Sequence, residues 1–200
     1  MTSMQLFLDV DGVLLNFERA FVSWLNTAYD MDLPPDYETP TWDFTEVLEM
    51  DVLRERWHAF LESSHAAGMP ALVEPERFND LSAAHRVHLL TNFPEPHMDK
   101  RRENLRIAGL RYESLHYGGL HAFNGHRPRS KADWVNHLRE PHRPALFIDD
   151  HPDNCRDVSE NCPGVEVWLM SRRFNQDFHH PSIRRAQDWD CVHERLRTPV

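Results

Sequence analysis

The stretch Leu6-Phe7-Leu8-Asp9-Val10-Asp11-Gly12-Val13 decides how the rest of the chain is read. An apolar strand runs into two carboxylates that extended backbone points to the same side, and Gly12 then allows a sharp turn. A second acidic pair closes a second strand, Leu146-Phe147-Ile148-Asp149-Asp150. In an open parallel sheet, strand carboxyl ends beside a change of winding direction form the ligand crevice. If the two strands are neighbours, Asp9, Asp11, Asp149 and Asp150 converge there. At ~4 Å and an effective dielectric of ~20, each like-charge contact costs about 4 kcal/mol, so the group must hold a cation or take up protons. Hard oxygen ligands indicate Mg²⁺. The competing structural reading is that Asp caps strand ends and forms turns. It serves for either pair alone and poorly for both at corresponding strand ends.

Outward from these strands, short apolar runs recur at Val87 to Leu90, Ser114 to Tyr117 and Val165 to Leu169, which makes five strands with Leu6 to Leu8 and Ala145 to Ile148. Helical periodicity fills the gaps. Phe17, Ala20, Phe21, Trp24, Leu25 and Ala28 share one face, as do Val52, Leu53, Trp57, Phe60 and Leu61. Pro96 to Ala108 stops at Gly109, Ser130 caps Lys131 to Leu138, and Trp189, Val192 and Leu196 outline a C-terminal helix. Strands alternating with helices predict an α/β fold with a mostly parallel sheet. Roughly 80 residues separate the first two strands, far more than one crossover helix needs. An inserted α-helical lobe over 15–74 accounts for the excess, leaving 1–14 and 75–200 as the α/β core.

Charge marks the same segment. Residues 15–74 hold 12 acidic and three basic side chains, a net −9 of the chain's −10, so the remainder is nearly neutral. An acidic lobe repels polyphosphate and argues against a nucleic acid polymer as partner, although solubility alone also explains it. No apolar run is long enough to span a bilayer. Met1 to Leu15 lacks the basic start of a signal peptide. The three cysteines form no C-x-x-C pair, and the expected compartment is the cytoplasm.

Two further positions complete the crevice. The strand ending Leu90-Thr91-Asn92-Phe93 offers the Thr91 hydroxyl and the Asn92 backbone N–H to phosphoryl oxygens, though alone it is an ordinary turn. Lys131 stands out in a chain with only two lysines, because it sits in a helix first turn where the macrodipole disfavours a cation unless an anion joins it.

In this order the residues resemble the haloacid dehalogenase (HAD) superfamily, whose four motifs look matched by Asp9-Val10-Asp11-Gly12-Val13, Thr91, Lys131 and Asp149-Asp150. That resemblance implies a HAD-like Rossmannoid core with a helical cap. It implies Asp9 as the nucleophile that takes a phosphoryl group, and Asp11 as the acid that protonates the leaving oxygen and then the base that activates water. It further implies Mg²⁺ held by Asp9, the Val10 carbonyl and Asp150 with Asp149 nearby, while Thr91 and Lys131 neutralise the phosphoryl oxygens. Dehalogenases of the superfamily lack the second motif-one aspartate, because a halide needs no proton, so Asp11 favours phosphoryl transfer. A narrower likeness, through chain length, cap position, the Asp-Asp motif and the helix at Asp188-Trp189, is to the 5'(3')-deoxyribonucleotidases.

The expected activity is a Mg²⁺-dependent phosphomonoesterase acting on a small phosphorylated metabolite, with nucleoside monophosphates leading the candidates. The alternatives are a phosphatase or phosphomutase for a non-nucleotide ester and a catalytically silent binding module. A homodimer is compatible with the sequence. Within the acidic segment, Phe17 and Trp24 fit the periodicity of a core, whereas Trp42 and Phe44 fall outside it and are the better substrate contacts, stacking being worth ~1 to 3 kcal/mol per base. The acidity also suits a cationic or donor-rich leaving group. His116, His121 and His126 at five-residue intervals lack the cysteine or H-x-x-x-H partner of a zinc site. His151 is placed to line the crevice, and Arg172-Arg173 either stay at the surface or meet phosphate.

Overall fold

A computed structural model describes residues 3–120 and 128–197. Six strands form one parallel sheet in the order β3-β2-β1-β4-β5-β6. They are β1 (Gln5–Leu8), β2 (Arg86–Thr91), β3 (Ser114–Tyr117), β4 (Ala145–Asp149), β5 (Val165–Met170) and β6 (Ile183–Ala186). Five were expected. The sixth, Ile-Arg-Arg-Ala, carries two arginines in four residues because it lies at the sheet edge, where only one side of the strand is paired.

The helices are α1 (Phe17–Tyr29), α2 (Met50–Glu62), α3 (Pro75–Ala84), α4 (Met98–Ile107), α5 (Lys131–Leu138), α6 (Pro152–Asn161) and α7 (Trp189–Arg197). Local chemistry sets their ends. The Asn16 side chain accepts from the Arg19 amide at 2.9 Å to start α1, and the Ser130 hydroxyl accepts from the Asp133 amide at 3.1 Å to start α5. The helix expected over Pro96 to Ala108 begins as a 3₁₀ turn at Glu95–His97 before α4, and Gly109 beyond it has φ +70°. Pro75 opens α3 and Pro152 opens α6; neither helix was singled out from the sequence.

The sheet is covered on both sides, and its central strands β1 and β4 are buried throughout and mostly apolar. Alternation divides the core: Leu6, Leu8, Leu146 and Ile148 face Phe78, Leu105 and Trp189, while Phe7 and Phe147 face Val135 and Val158. The strand order reverses direction between β1 and β4, and their register aligns Leu8 with Ile148. The residues that follow, Asp9 and Asp149, therefore leave the sheet side by side at its switch point.

Between β1 and α3, α1 and α2 pack through an aromatic cluster. The Phe21 ring lies 5.2 Å from both Phe60 and Phe44, and Phe17 lies 4.9 Å from Trp57. Its buried residues join the same apolar cluster as Leu6 and Leu8. Trp24 is buried there, as its periodicity predicts. Among the described residues no helix is long and apolar enough to cross a membrane.

Candidate active site

Lys131 is the hub of the switch point. Its ammonium, 1% exposed, lies 2.8 Å from Asp9 Oδ1 and 2.6 Å from Asp149 Oδ2. This resolves the oddity of a lysine at a helix start: two carboxylates outweigh the macrodipole. Burial works against its charge, but Asp149 and Asp9 prevail and hold its pKa above the usual lysine value.

Asp149 also accepts from the His151 amide at 2.8 Å and from Asn154. Asp150 lies against Gly12, where a Cβ would sit 1.8 Å from Asp150 Oδ2, and Gly12 itself has φ +71°. Only glycine serves both demands.

Asp9, Asp149 and Asp150 bring one carboxylate oxygen each within 4.8 Å of one another, all buried. Burial, then the charge of Asp149, pushes the Asp9 carboxyl up to about 7 against the pull of Lys131. Asp150 is raised as well, by burial and by Asp9 and Asp149. Three carboxylates face the Lys131 ammonium, with the Arg172 guanidinium also acting on Asp150, and negative charge is left in excess. A hard divalent cation fits that excess and that all-oxygen donor set.

The fourth expected carboxylate stands apart. Asp11 turns its Oδ2 to Arg101, 2.5 Å from Nη2, so the expected group of four is a group of three. The Val10 carbonyl is also otherwise engaged. It accepts from the amides of Leu14 at 2.8 Å and Leu15 at 2.9 Å, which close the turn after β1 and leave no lone pair for a cation.

Thr91, fully buried, ends β2 with its hydroxyl accepting from the Phe93 amide at 3.2 Å. Asn92 lines the cavity, and its Oδ1 is buried without a partner among the described residues.

That cavity, about 910 Å³, has Asp9, Asp11, Asp150 and Lys131 on its floor and Phe17, Trp42, Phe44, Leu53 and Trp57 on its walls. Trp42 is 48% exposed and meets His151 edge-on at 5.0 Å. Phe44 is only 3% exposed and is mainly a core residue, its ring against Phe21 and its φ of +59° turning it inward. Of the expected pair, Trp42 is therefore the accessible one. Phe17 packs against the core, as expected, and also lines the cavity.

Glu46 braces the loop that carries Trp42 and Phe44. It accepts from the hydroxyls of Tyr37 at 2.5 Å, Thr39 at 2.6 Å and Thr41. Arg172 reaches across the fold to the carbonyls of Gly12 and Ser171, while Arg173 takes the Glu38 carbonyl at 2.9 Å. His116 bonds Ser114 at 2.8 Å; His121 and His126 lie outside the described residues.

Sequence reasoning missed Arg101, whose pairing is long-range. It also missed Trp57 as a wall residue, since helical spacing shows only an apolar face.

Comparison with known proteins agrees with this architecture. No family profile and no curated protein matches the chain. Among solved structures it is similar to the L-2-haloacid dehalogenase of Xanthobacter autotrophicus with chloropropionic acid covalently bound, at 13% identity and a TM-score of 0.64 over 100% of both chains. It is similar to the HAD-hydrolase YfnB of Bacillus subtilis bound to magnesium, at 16% identity and 0.60, covering 99% of this chain and 100% of that one. A haloacid dehalogenase-like hydrolase of Streptococcus pneumoniae gives 14% and 0.59, covering 96% and 98%. The fold is thus the HAD-like Rossmannoid α/β fold. None of the three is described as a nucleotidase.

Proposed function

We propose that the protein is a Mg²⁺-dependent phosphomonoesterase working through a phosphorylated Asp9, with residues 15–74 as a cap over its site. The observation that carries this reading is the buried group Asp9, Asp149, Asp150 and Lys131 at the β1/β4 switch point, with Asp11 beside it under a 910 Å³ cavity.

Asp9, Asp149 and Asp150 would hold the metal, which supplies charge neutralisation for the phosphoryl oxygens. Asp9 keeps one oxygen on Lys131 and the Val10 amide, which orients the carboxylate for attack on phosphorus. Lys131 and the turn at Thr91-Asn92 meet the remaining phosphoryl oxygens. Asp11 lines the cavity and gives a proton to the leaving oxygen. It then takes one from the water that cleaves the acyl phosphate, so the aspartate returns to its starting state. The aromatic wall of Phe17, Trp42 and Trp57 suits a planar leaving group, which keeps a nucleoside monophosphate first among substrates. The acidity of residues 15–74 weighs against a nucleic acid polymer as partner, and the compartment we infer is the cytoplasm.

The likeness to L-2-haloacid dehalogenase supports a second reading, attack of Asp9 on a halogenated carbon. Asp11 weighs against it, since halide departure needs no proton. Hydrolysis of p-nitrophenyl phosphate with Mg²⁺, absent in EDTA and in Asp9→Asn, is the expected result. Chloride release from 2-chloropropionate without phosphate-ester hydrolysis would reverse the choice.

A further inference from the structure

We propose that Asn175 is a positioning residue that fixes Asp150 within the group Asp9, Asp149 and Asp150, and ties that group to the edge strand β6; this rests on the reading of the group as a Mg²⁺ site. Asp9 is oriented by Lys131 and the Val10 amide, and Asp149 by Lys131, Asn154 and the His151 amide. The Asp150 side chain accepts no hydrogen bond among the described residues, although Asp9 and Asp149 repel it. Its place is therefore set through its backbone. The Asn175 side chain does this, donating from Nδ2 to the Asp150 carbonyl at 2.7 Å.

Asn175 is buried, and its amide is spent in full. Nδ2 also donates to the Met170 carbonyl at 2.9 Å, while Oδ1 accepts from the Arg172 amide at 3.1 Å and from Arg185 Nη1 at 2.9 Å. Two donors and two acceptor sites are all that a side-chain amide has. With carbonyls on one side and N–H groups on the other, the flipped orientation is excluded, so the donor to Asp150 is fixed.

The same turn reaches the other side of the site. Arg172 donates to the Gly12 carbonyl, and its charge also acts on Asp150. Gly12 and Asp150, which approach too closely to admit a Cβ, are thus each held by a residue of the turn 172–175. Arg185 anchors that turn from β6, reaching the carbonyls of Asn175 at 3.0 Å and Phe178 at 2.8 Å as well. A buried polar network in which every bond is made specifies one arrangement, and here that arrangement includes the third carboxylate.

The test is Mg²⁺ binding by calorimetry to the folded variants Asn175→Leu and Arg185→Met, with Arg195→Met as control. Asn175→Leu keeps the volume and loses all four bonds, so Kd for Mg²⁺ should rise about 10- to 100-fold. Arg185→Met leaves the Asp150 bond in place but frees one side of the amide. Its Kd should rise less, and it serves alone if Asn175→Leu does not fold. Arg195→Met breaks a pair with Glu166 on β5 and should leave Kd within about twofold of the parent. An unchanged Kd in the folded test variants, or the same weakening in Arg195→Met, overturns the proposal.

If the parent protein binds no Mg²⁺, the functional reading fails separately. The positioning claim is then decided by crystal structures of the parent and of Asn175→Leu, or of Arg185→Met where that variant alone folds. Asp150 in its parent position would overturn it, and an Asp150 side chain displaced from Gly12 or spread over several rotamers would support it.

Discussion

The floor and the walls of the cavity are built on opposite principles. On the floor, Asp9, Asp149, Asp150 and Lys131 are buried charges that constrain one another through contacts of 2.6 and 2.8 Å. On the walls, Phe17, Trp42 and Trp57 present rings, and the polar work is done behind them by Glu46 and its hydroxyl donors. Charge placed at low dielectric tolerates no displacement, whereas an apolar wall tolerates exchange of one ring for another. Damage to the floor should therefore abolish chemistry, and damage to the walls should change which molecule is accepted.

The largest effect is expected from Asp9→Asn, which removes the proposed nucleophile and should lower kcat for an aryl phosphate by more than ~10³-fold with the fold intact by circular dichroism. Next is Gly12→Ala. Its Cβ has no room beside Asp150, so Mg²⁺ affinity measured by calorimetry should drop about 10- to 100-fold. Trp57→Ala should raise KM for a nucleoside monophosphate by ~5- to 100-fold while leaving KM for p-nitrophenyl phosphate within a factor of three. Equal shifts for both substrates would break the division between floor and walls.

Protons would compete with the proposed metal for Asp9, pushed up to about 7, and for Asp150, so Mg²⁺ affinity should climb from pH 6 to 8 with release of protons. The sign for the metal-free protein follows. A carboxyl with a raised folded-state pKa binds more protons folded than unfolded. Its contribution to stability is thus present below about pH 4 and is lost as pH rises through 7. Tm without metal should fall by a few degrees over that range, and added Mg²⁺ should remove most of the slope. The smallest effect is expected of Glu46→Gln, about 1 kcal/mol of stability from weakened hydroxyl bonds, read as a modest shift in urea midpoint.

The same contrast explains what could be read in the sequence. Asp9, Asp149, Asp150 and Lys131 were legible because few structural roles call for those types at strand ends and a helix start. Arg101 was not. In α4 it sits beside Arg102, which merely pairs with Asp99 at the surface, and nothing in the order of residues tells the two apart. Only the packing of α4 buries one and exposes the other. The Val10 carbonyl misled for a related reason: backbone acceptors carry no residue signature, and the turn hydrogen bonds that occupy this one depend on local φ and ψ. Phe44 was half legible, since its escape from helical periodicity was visible but its left-handed φ was not.

Trp189 opens the last helix, and its indole N–H donates to the Val13 carbonyl at 2.8 Å. The turn beyond the first strand is therefore latched by a side chain 176 residues further along the chain. A nascent chain lacking that helix holds every polar residue of the floor yet lacks the brace that keeps them in register. In such an arrangement competence waits for a helix that is made long after the floor.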